Sequence, residues 1–125
     1  MSGFVLDAGA LIAYERAHRA AVTLVGRARE RGQRLVVPAG VVGQVWRDGR
    51  RQAQLAKLLN SDLVQVVALD DTEARLAGQL CGASRTTDVI DASVVACAQR
   101  RDAAVATSDP RDLHRIDPSL RLLLV

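Results

Sequence analysis

The sequence predicts an α/β protein: a three-layer α/β/α sandwich around a short central parallel sheet. Short apolar runs alternate with segments of helical period, and Asn-Gly hairpin turns are missing from the sequence. The runs are almost continuously apolar, which is typical of parallel strands buried on both faces. A chain of 125 residues, 49% of them hydrophobic and with a net charge of only +3, fits one folded domain over 1–125 and excludes a disordered polypeptide.

The individual elements follow from apolar runs and from the residues that end them. The first run stops at Asp7, the second stops at Pro38, and Gly32 and Gly49 interrupt the helical pattern. Between these breaks, apolar residues recur every three or four positions, which predicts helices. The predicted strands are 4–6, 35–37, 63–69, 103–106 and 120–125. The predicted helices are 8–13, 18–31, 39–47, 50–59, 71–81, 88–100 and 109–115.

Cysteine usage and hydropathy indicate the compartment. Cys81 and Cys97 lie among small and apolar residues, so we expect free thiols in a reducing compartment. No apolar run approaches the ~20 residues of a membrane helix, and the first residues lack the basic and apolar regions of a secretory signal. We therefore expect a cytoplasmic protein without a membrane partner.

The basic residues are sixteen arginines and one lysine, Lys57. Guanidinium groups make planar, bidentate contacts with phosphate, which suits RNA, although a solvated arginine surface explains the same composition. Trp46 lies beside Arg47, Arg50 and Arg51, and an aromatic ring among arginines can stack a base while the cations hold phosphates. The alternative for Trp46 is a half-buried residue that packs at a helix interface or dimer seam, and the alternative for the arginines is the solvated start of a helix.

Aspartates are concentrated where predicted strands end and helices begin. Asp7 follows the first strand and Asp109 the fourth, Asp112 comes three residues later, and Asp88 and Asp91 open a helix. Each one alone fits an N-cap or a first-turn acid. Asp7, Asp91 and Asp109 together would crowd one crevice, where carboxylates repel unless a cation is present. Mg²⁺ or Mn²⁺ is the natural cation, and such a site can hydrolyse phosphodiesters.

The sequence lacks the residues that other kinds of catalytic or signalling site would need. The sequence has no glycine-rich phosphate loop, no zinc-ligand spacing around its histidines and cysteines, and no nucleophile elbow around its serines. A receiver-like signalling domain would need a lysine after the last strand, but Lys57 lies in a predicted helix.

Three segments resemble the acidic motifs of the PIN domain family, which includes the VapC toxins of bacterial toxin–antitoxin pairs. FVLDAGALIA at 4–13 resembles its opening, TDVIDASVVA at 87–96 its third motif, and AVATSDPRDL at 104–113 its fourth. The resemblance implies a Mg²⁺- or Mn²⁺-dependent endoribonuclease, a cognate antitoxin that blocks the site, and a homodimer.

The resemblance also implies roles for individual residues. Asp7, Asp91 and Asp109 match the core catalytic and metal-binding acids of the family. Asp88 and Asp112 match accessory positions, and Thr107 resembles the hydroxyl that orients the acidic cluster.

Two positions depart from the family pattern. Gly9 stands where the family usually has Ser or Thr, and Gln44 stands where it usually has Glu. An amide oxygen can bind a metal but carries no charge. Asp48 or Glu15 could substitute for the missing acid, although both also fit surface positions. The alternative function is therefore a catalytically impaired PIN-like module that binds RNA or a protein partner.

Overall fold

A computed structural model describes residues 3–125 and contains a five-stranded parallel sheet in the order β3-β2-β1-β4-β5. Every strand pairing is parallel. The strands are β1 (Phe4–Leu6), β2 (Leu35–Pro38), β3 (Val64–Val67), β4 (Ala104–Thr107) and β5 (Leu122–Leu124). Helices flank this sheet, which confirms the predicted α/β fold.

The helices form two layers because the order of the strands reverses once. β2 and β3 are added in turn on one side of β1. The chain then crosses back over the sheet and adds β4 and β5 on the other side of β1. Since parallel crossovers are right-handed, the helices before and after that return lie on opposite faces. Contacts agree: α1 meets α2, α3 and α4, whereas α5, α6 and α7 meet one another. The helices are α1 (Ala8–Glu15), α2 (Arg19–Arg31), α3 (Ala39–Val45), α4 (Ala53–Leu59), α5 (Asp71–Ser84), α6 (Val89–Arg101) and α7 (Pro110–Ile116).

The core lies on both sides of β1, β2 and β4, whose apolar side chains are buried except for the partly buried first residues of β1 and β4. In α6, seven successive residues from Ala92 to Ala98 are buried. A helix buried on all sides must be covered on all sides, here by the sheet and by α5 and α7. This central position fixes the start of α6, and with it Asp91, firmly against the sheet.

Several predicted boundaries were wrong by two or more residues. The predicted helix 39–47 ends at Val45, and the next helix begins at Ala53 instead of residue 50. The Gln52 side chain explains both shifts, because its oxygen accepts hydrogen bonds from the N–H groups of Arg47 and Asp48 and its amide donates to the Val45 carbonyl. These three bonds hold residues 46–52 as an ordered loop rather than as helix.

The other shifts concern the ends of elements. The strands predicted at 63–69 and 120–125 shorten to β3 and β5, which lie at the two edges of the sheet and pair on one side only. α1 and α5 run two and three residues further than the 8–13 and 71–81 predicted. α5 ends where Arg85 adopts a left-handed conformation with φ 61°.

No helix within residues 3–125 is long and apolar enough to cross a membrane. Both cysteines are free thiols, with Cys97 buried and Cys81 partly buried.

Candidate functional site

The carboxyl ends of β1 and β4 bring Asp7 and Asp109 to the same edge of the sheet. Leu6 pairs with Ala106 in the β1–β4 ladder, and the Asp7 N–H continues it by donating to the Ala106 carbonyl at 3.3 Å. The next residues of β4 and its loop are Thr107, Ser108 and Asp109. The chain connectivity therefore places the two aspartates side by side.

Asp7 is buried at the N-cap of α1. Its Oδ1 accepts a hydrogen bond from the Ala10 N–H at 2.9 Å, so the cap predicted as its alternative role is present. Only 9% of the residue is exposed. Burial raises the pKa of Asp7, a hydrogen bond with Thr107 and backbone N–H groups oppose that rise, and the charge of Asp109 adds to it. Asp7 thus combines a structural cap with a desolvated charge.

Thr107 connects the two aspartates. Its side chain is fully buried and hydrogen-bonds to Asp7, and its Oγ1 accepts from the Asp109 N–H at 3.0 Å. The Asp109 carboxylate itself makes no capping hydrogen bond to α7, although the residue stands at that helix's N-cap. Its exposed side chain is therefore available to a ligand.

Asp91 approaches the same edge from the first turn of α6. Asp88 caps this helix, and its Oδ1 accepts from the Asp91 N–H at 2.9 Å. Burial raises the pKa of Asp91 to about 6, helped by the charges of Asp88, Asp112 and Asp7. Asp91 is thus affected by the charges of Asp88, Asp112 and Asp7, and Asp7 by the charge of Asp109. We call these five residues the acidic edge: Asp7, Asp88, Asp91, Asp109 and Asp112.

No cation neutralises the acidic edge from within the described chain. The ion pairs found among residues 3–125 involve other carboxylates: Asp48, Asp71, Glu73 and Asp102. Over the same residues, no three His, Cys, Asp or Glu side chains already stand close enough together to hold a metal ion. The carboxylates of the acidic edge form an all-oxygen, negatively charged set, which has the chemistry that hard divalent ions prefer.

Gln44 is exposed in the last turn of α3 and makes no hydrogen bond within the described chain. α3 crosses close to the start of α6, because a Cβ on Gly40 would lie 2.4 Å from Ile90 Cδ1. Gln44 follows Gly40 by four residues and so lies on the same side of α3, toward the helix that carries Asp91. Asp48, a suggested substitute for the missing Glu, is engaged elsewhere, by the Arg50 N–H and by an exposed pair with Arg51.

The predicted RNA-binding group lies in the ordered loop after α3, not in a helix. The Trp46 side chain packs over Gly49 and the residue remains 37% exposed. The Arg47 guanidinium donates to the Gly43 and Trp46 carbonyls, so it serves as a cap for α3. Arg50 and Arg51 are exposed in the same loop.

Two features were not predicted. Ser108 fills the space beside Gly9, where a Cβ would lie 2.1 Å from the serine Oγ. A groove of about 680 Å³ also lies between α2 and β5, away from the acidic edge. Its apolar lining includes Phe4, Leu24 and Leu124, and its arginines are Arg19, Arg27 and Arg31. The signal for the groove was present, since Arg27 and Arg31 lie one helical turn apart.

Three solved structures share this fold at low sequence identity. VapBC2 from Rickettsia felis, bound to a DNA fragment from its promoter, aligns over 97% of each chain at 12% identity, with a TM-score of 0.72. The sarcin-ricin loop cleaving toxin VapC20 of Mycobacterium tuberculosis aligns at 17% identity over 86% of this chain and 91% of its own, with a TM-score of 0.66. FitAcB from Neisseria gonorrhoeae aligns over 96% of each chain at 16% identity, with a TM-score of 0.67.

Sequence comparison identifies the family directly. No curated protein gives a significant match. The family model described as PIN domain, however, matches residues 4–118, which include every member of the acidic edge. The chain therefore belongs to the PIN domain family.

Proposed function

We propose that this protein is a metal-dependent endoribonuclease of the VapC toxin type. The observation that carries the proposal is the acidic edge, where Asp7 and Asp109 follow two paired strands, the charge of Asp7 acts on Asp91, and no ion pair within the described chain involves these acids. Leaving desolvated carboxylates unpaired is costly, and proteins tolerate that cost mainly at functional sites. The fold shared with a sarcin-ricin loop cleaving toxin is consistent with the same reaction class.

Asp7, Asp91 and Asp109 would hold Mg²⁺ or Mn²⁺, with Asp88 and Asp112 as accessory acids. The bound cation would activate water and stabilise charge on the phosphodiester. Thr107 orients two of these acids, since it bonds both to Asp7 and to the backbone of Asp109. Asp88 fixes the first turn of α6 by accepting from the Asp91 N–H.

The loop after α3 would bind the RNA strand. The exposed Trp46 ring offers a stacking surface for a base, and Arg50 and Arg51 can contact phosphates. Arg47 contributes less directly, because its guanidinium is held by backbone carbonyls. Substituting Trp46 should weaken RNA binding without changing metal affinity.

The groove between α2 and β5 would receive a segment of the cognate antitoxin. Its floor is apolar, and Arg19, Arg27 and Arg31 make no ion pair within residues 3–125, so apolar and acidic side chains fit it together. Toxin–antitoxin complexes among the similar structures favour such a partner. Co-purification of the co-expressed cognate antitoxin should be lost in Arg27→Glu/Arg31→Glu and kept in Arg29→Glu, because Arg29 lies outside the groove lining.

A homodimer acting in the cytoplasm completes the proposal. Sedimentation equilibrium of the purified protein tests the dimer, with a mass of about twice 13.4 kDa expected.

The decisive experiment measures cleavage of total RNA with and without Mn²⁺. Asp91→Asn and Asp109→Asn should each abolish cleavage while the far-ultraviolet spectrum stays unchanged. Asp62→Asn is the matched control, because Asp62 is exposed and precedes β3, at the opposite edge of the sheet. Mn²⁺ at about 100 times its dissociation constant should stabilise the native protein by about 2.7 kcal/mol.

The second candidate is a PIN module that binds RNA or a protein without cleaving. Gln44 favours it, because three core acids provide less charge for a metal than four. RNA binding without Mn²⁺-dependent cleavage, together with unchanged melting in Mn²⁺, would select this candidate over the nuclease.

A further inference from the structure

Ser108 and Gly9 fit together at the acidic edge. A Cβ on Gly9 would lie 2.1 Å from Ser108 Oγ, 3.1 Å from its Cβ and 3.2 Å from its backbone nitrogen. A Cβ at position 9 would force the Ser108 hydroxyl out of its present position and would press the serine Cβ and backbone nitrogen by a few tenths of an ångström. The absence of a Cβ in the first turn of α1 therefore allows the Ser108 hydroxyl to lie against α1.

The serine hydroxyl occupies the space that a residue-9 side chain would fill. A hydroxyl carried by residue 9 would stand one bond beyond that Cβ, in the same small volume. Ser108 is exposed and makes no hydrogen bond within residues 3–125, unlike neighbouring Thr107, whose Oγ1 accepts from the Asp109 N–H. Its donor and its lone pairs are free for a ligand at the acidic edge.

We propose that Ser108 supplies the ligand-binding hydroxyl of the acidic edge, and that Gly9 is required to admit it. Among five carboxylates, a neutral hydroxyl is a donor that can approach a phosphate oxygen of RNA or a water that hydrates the cation. This inference rests on the proposed nuclease function. It assigns the hydroxyl to the loop after β4 rather than to α1.

Five variants separate the packing of this pair from its chemistry. Gly9→Ser alone introduces the clash, and Ser108→Ala removes only the hydroxyl. Gly9→Ser/Ser108→Gly moves the hydroxyl to α1 and relieves the clash, whereas Gly9→Ala/Ser108→Gly relieves the clash without restoring a hydroxyl. Ser119→Ala is the control for loss of an exposed serine hydroxyl away from the site, since its Oγ bonds Asp117.

The experiment measures two constants, the Mn²⁺ dissociation constant and the KM for RNA, and one melting temperature. Mn²⁺ calorimetry without RNA reports a role at the ion's hydration water, and the KM for RNA in saturating Mn²⁺ reports a role at phosphate. Ser108→Ala should weaken one of them five- to tenfold, with the melting temperature in EDTA unchanged. Gly9→Ser should lower the melting temperature, and both double variants should restore it. Only Gly9→Ser/Ser108→Gly should bring the affected constant within twofold of the wild type.

The outcomes distinguish this inference from the function on which it rests. If the wild type binds Mn²⁺ and cleaves RNA but Ser108→Ala matches it in both constants, the hydroxyl has no role and this inference alone is wrong. The inference would also be wrong if the two double variants had equal Mn²⁺ dissociation constants and equal KM values for RNA. A wild type that neither binds Mn²⁺ nor cleaves RNA would overturn both.

Discussion

Two buried acids, Asp7 and Glu73, have side chains in opposite electrostatic surroundings. Both are more than 90% buried, and both lie at the start of a helix, where the macrodipole favours negative charge. Glu73 pairs with the Arg100 guanidinium, which reaches it from α6. Asp7 faces further aspartates and has no cation within residues 3–125.

The two acids differ in whether the protein itself supplies a cation to the buried charge. The Glu73–Arg100 pair fastens α5 to α6 and satisfies its own charge. The acids of the acidic edge have no such partner within residues 3–125, so their charges repel one another. A cation that binds only the folded state would remove this repulsion and stabilise the protein.

The largest effect should come from breaking the satisfied pair. Arg100→Met leaves the Glu73 carboxylate buried without a partner, and we expect a loss of about 3 kcal/mol in the free energy of unfolding, measured in urea. The low end of the usual range applies because the Arg100 side chain is 46% exposed. The double variant Glu73→Leu/Arg100→Met should recover most of that loss, because no charge then remains to be paired. A double variant as unstable as Arg100→Met would show that the loss reflects packing rather than charge.

At the acidic edge, removing a charge is expected to raise the free energy of unfolding instead of lowering it. Asp91→Asn removes a charge whose pKa is raised from 3.8 to about 6, so in EDTA it should stabilise the protein by about 1–2 kcal/mol at pH 7.5, a figure reduced for partial solvent screening.

This gain should depend on pH in a stated direction. An acid whose pKa is higher in the folded state gives stability that is complete below its unfolded pKa and is lost as the pH rises through its folded pKa. The wild type should therefore lose stability relative to Asp91→Asn between pH 4 and about 6.5. Urea titrations of both proteins across this range measure the difference, and a flat difference would contradict the raised pKa.

The sheet was predictable because its strands carry their own signal. Runs such as Phe4 to Leu6 are apolar without alternation, and Asp7 ends that run at the edge where α/β sheets generally bind ligands. The loop between α3 and α4 was not predictable, because it depends on three hydrogen bonds from one glutamine, Gln52, that no local pattern announces.

Spacing and resemblance named the five acids of the acidic edge from the sequence, and their role as ligands stays a prediction. The contact of Ser108 with Gly9 could not be predicted, because it arises between residues about a hundred positions apart. The pairing of Glu73 with Arg100 escaped prediction for the same reason.

A smaller effect should separate the two roles of Asp7. Asp7→Asn keeps an oxygen that can cap α1 and removes the buried charge, whereas Asp7→Ala loses both. In EDTA, Asp7→Asn should therefore be more stable than Asp7→Ala by about 1 kcal/mol, the usual value of an N-cap. Neither variant should gain stability from Mn²⁺. Thermal unfolding with and without the ion measures both effects, and equal stability of the two variants would mean that the cap contributes nothing.

The smallest change in stability is expected at Gln44. A negative charge added there tests whether this position belongs to the unpaired charges of the acidic edge. Gln44→Glu is nearly isosteric and lies at an exposed position without hydrogen bonds in the described chain, so stability in EDTA should change by less than about 0.5 kcal/mol. If the side chain reaches the acidic edge, the added charge should tighten Mn²⁺ binding, because divalent affinity rises with ligand charge. The same substitution at Gln54, which is exposed on α4, is the matched control. Tighter binding in Gln44→Glu alone would show that the side of α3 bearing Gly40 and Gln44 faces the metal. Equal Mn²⁺ affinities in all three proteins would mean that Gln44 lies outside the site, and that the motif alignment of α3 with the family is wrong.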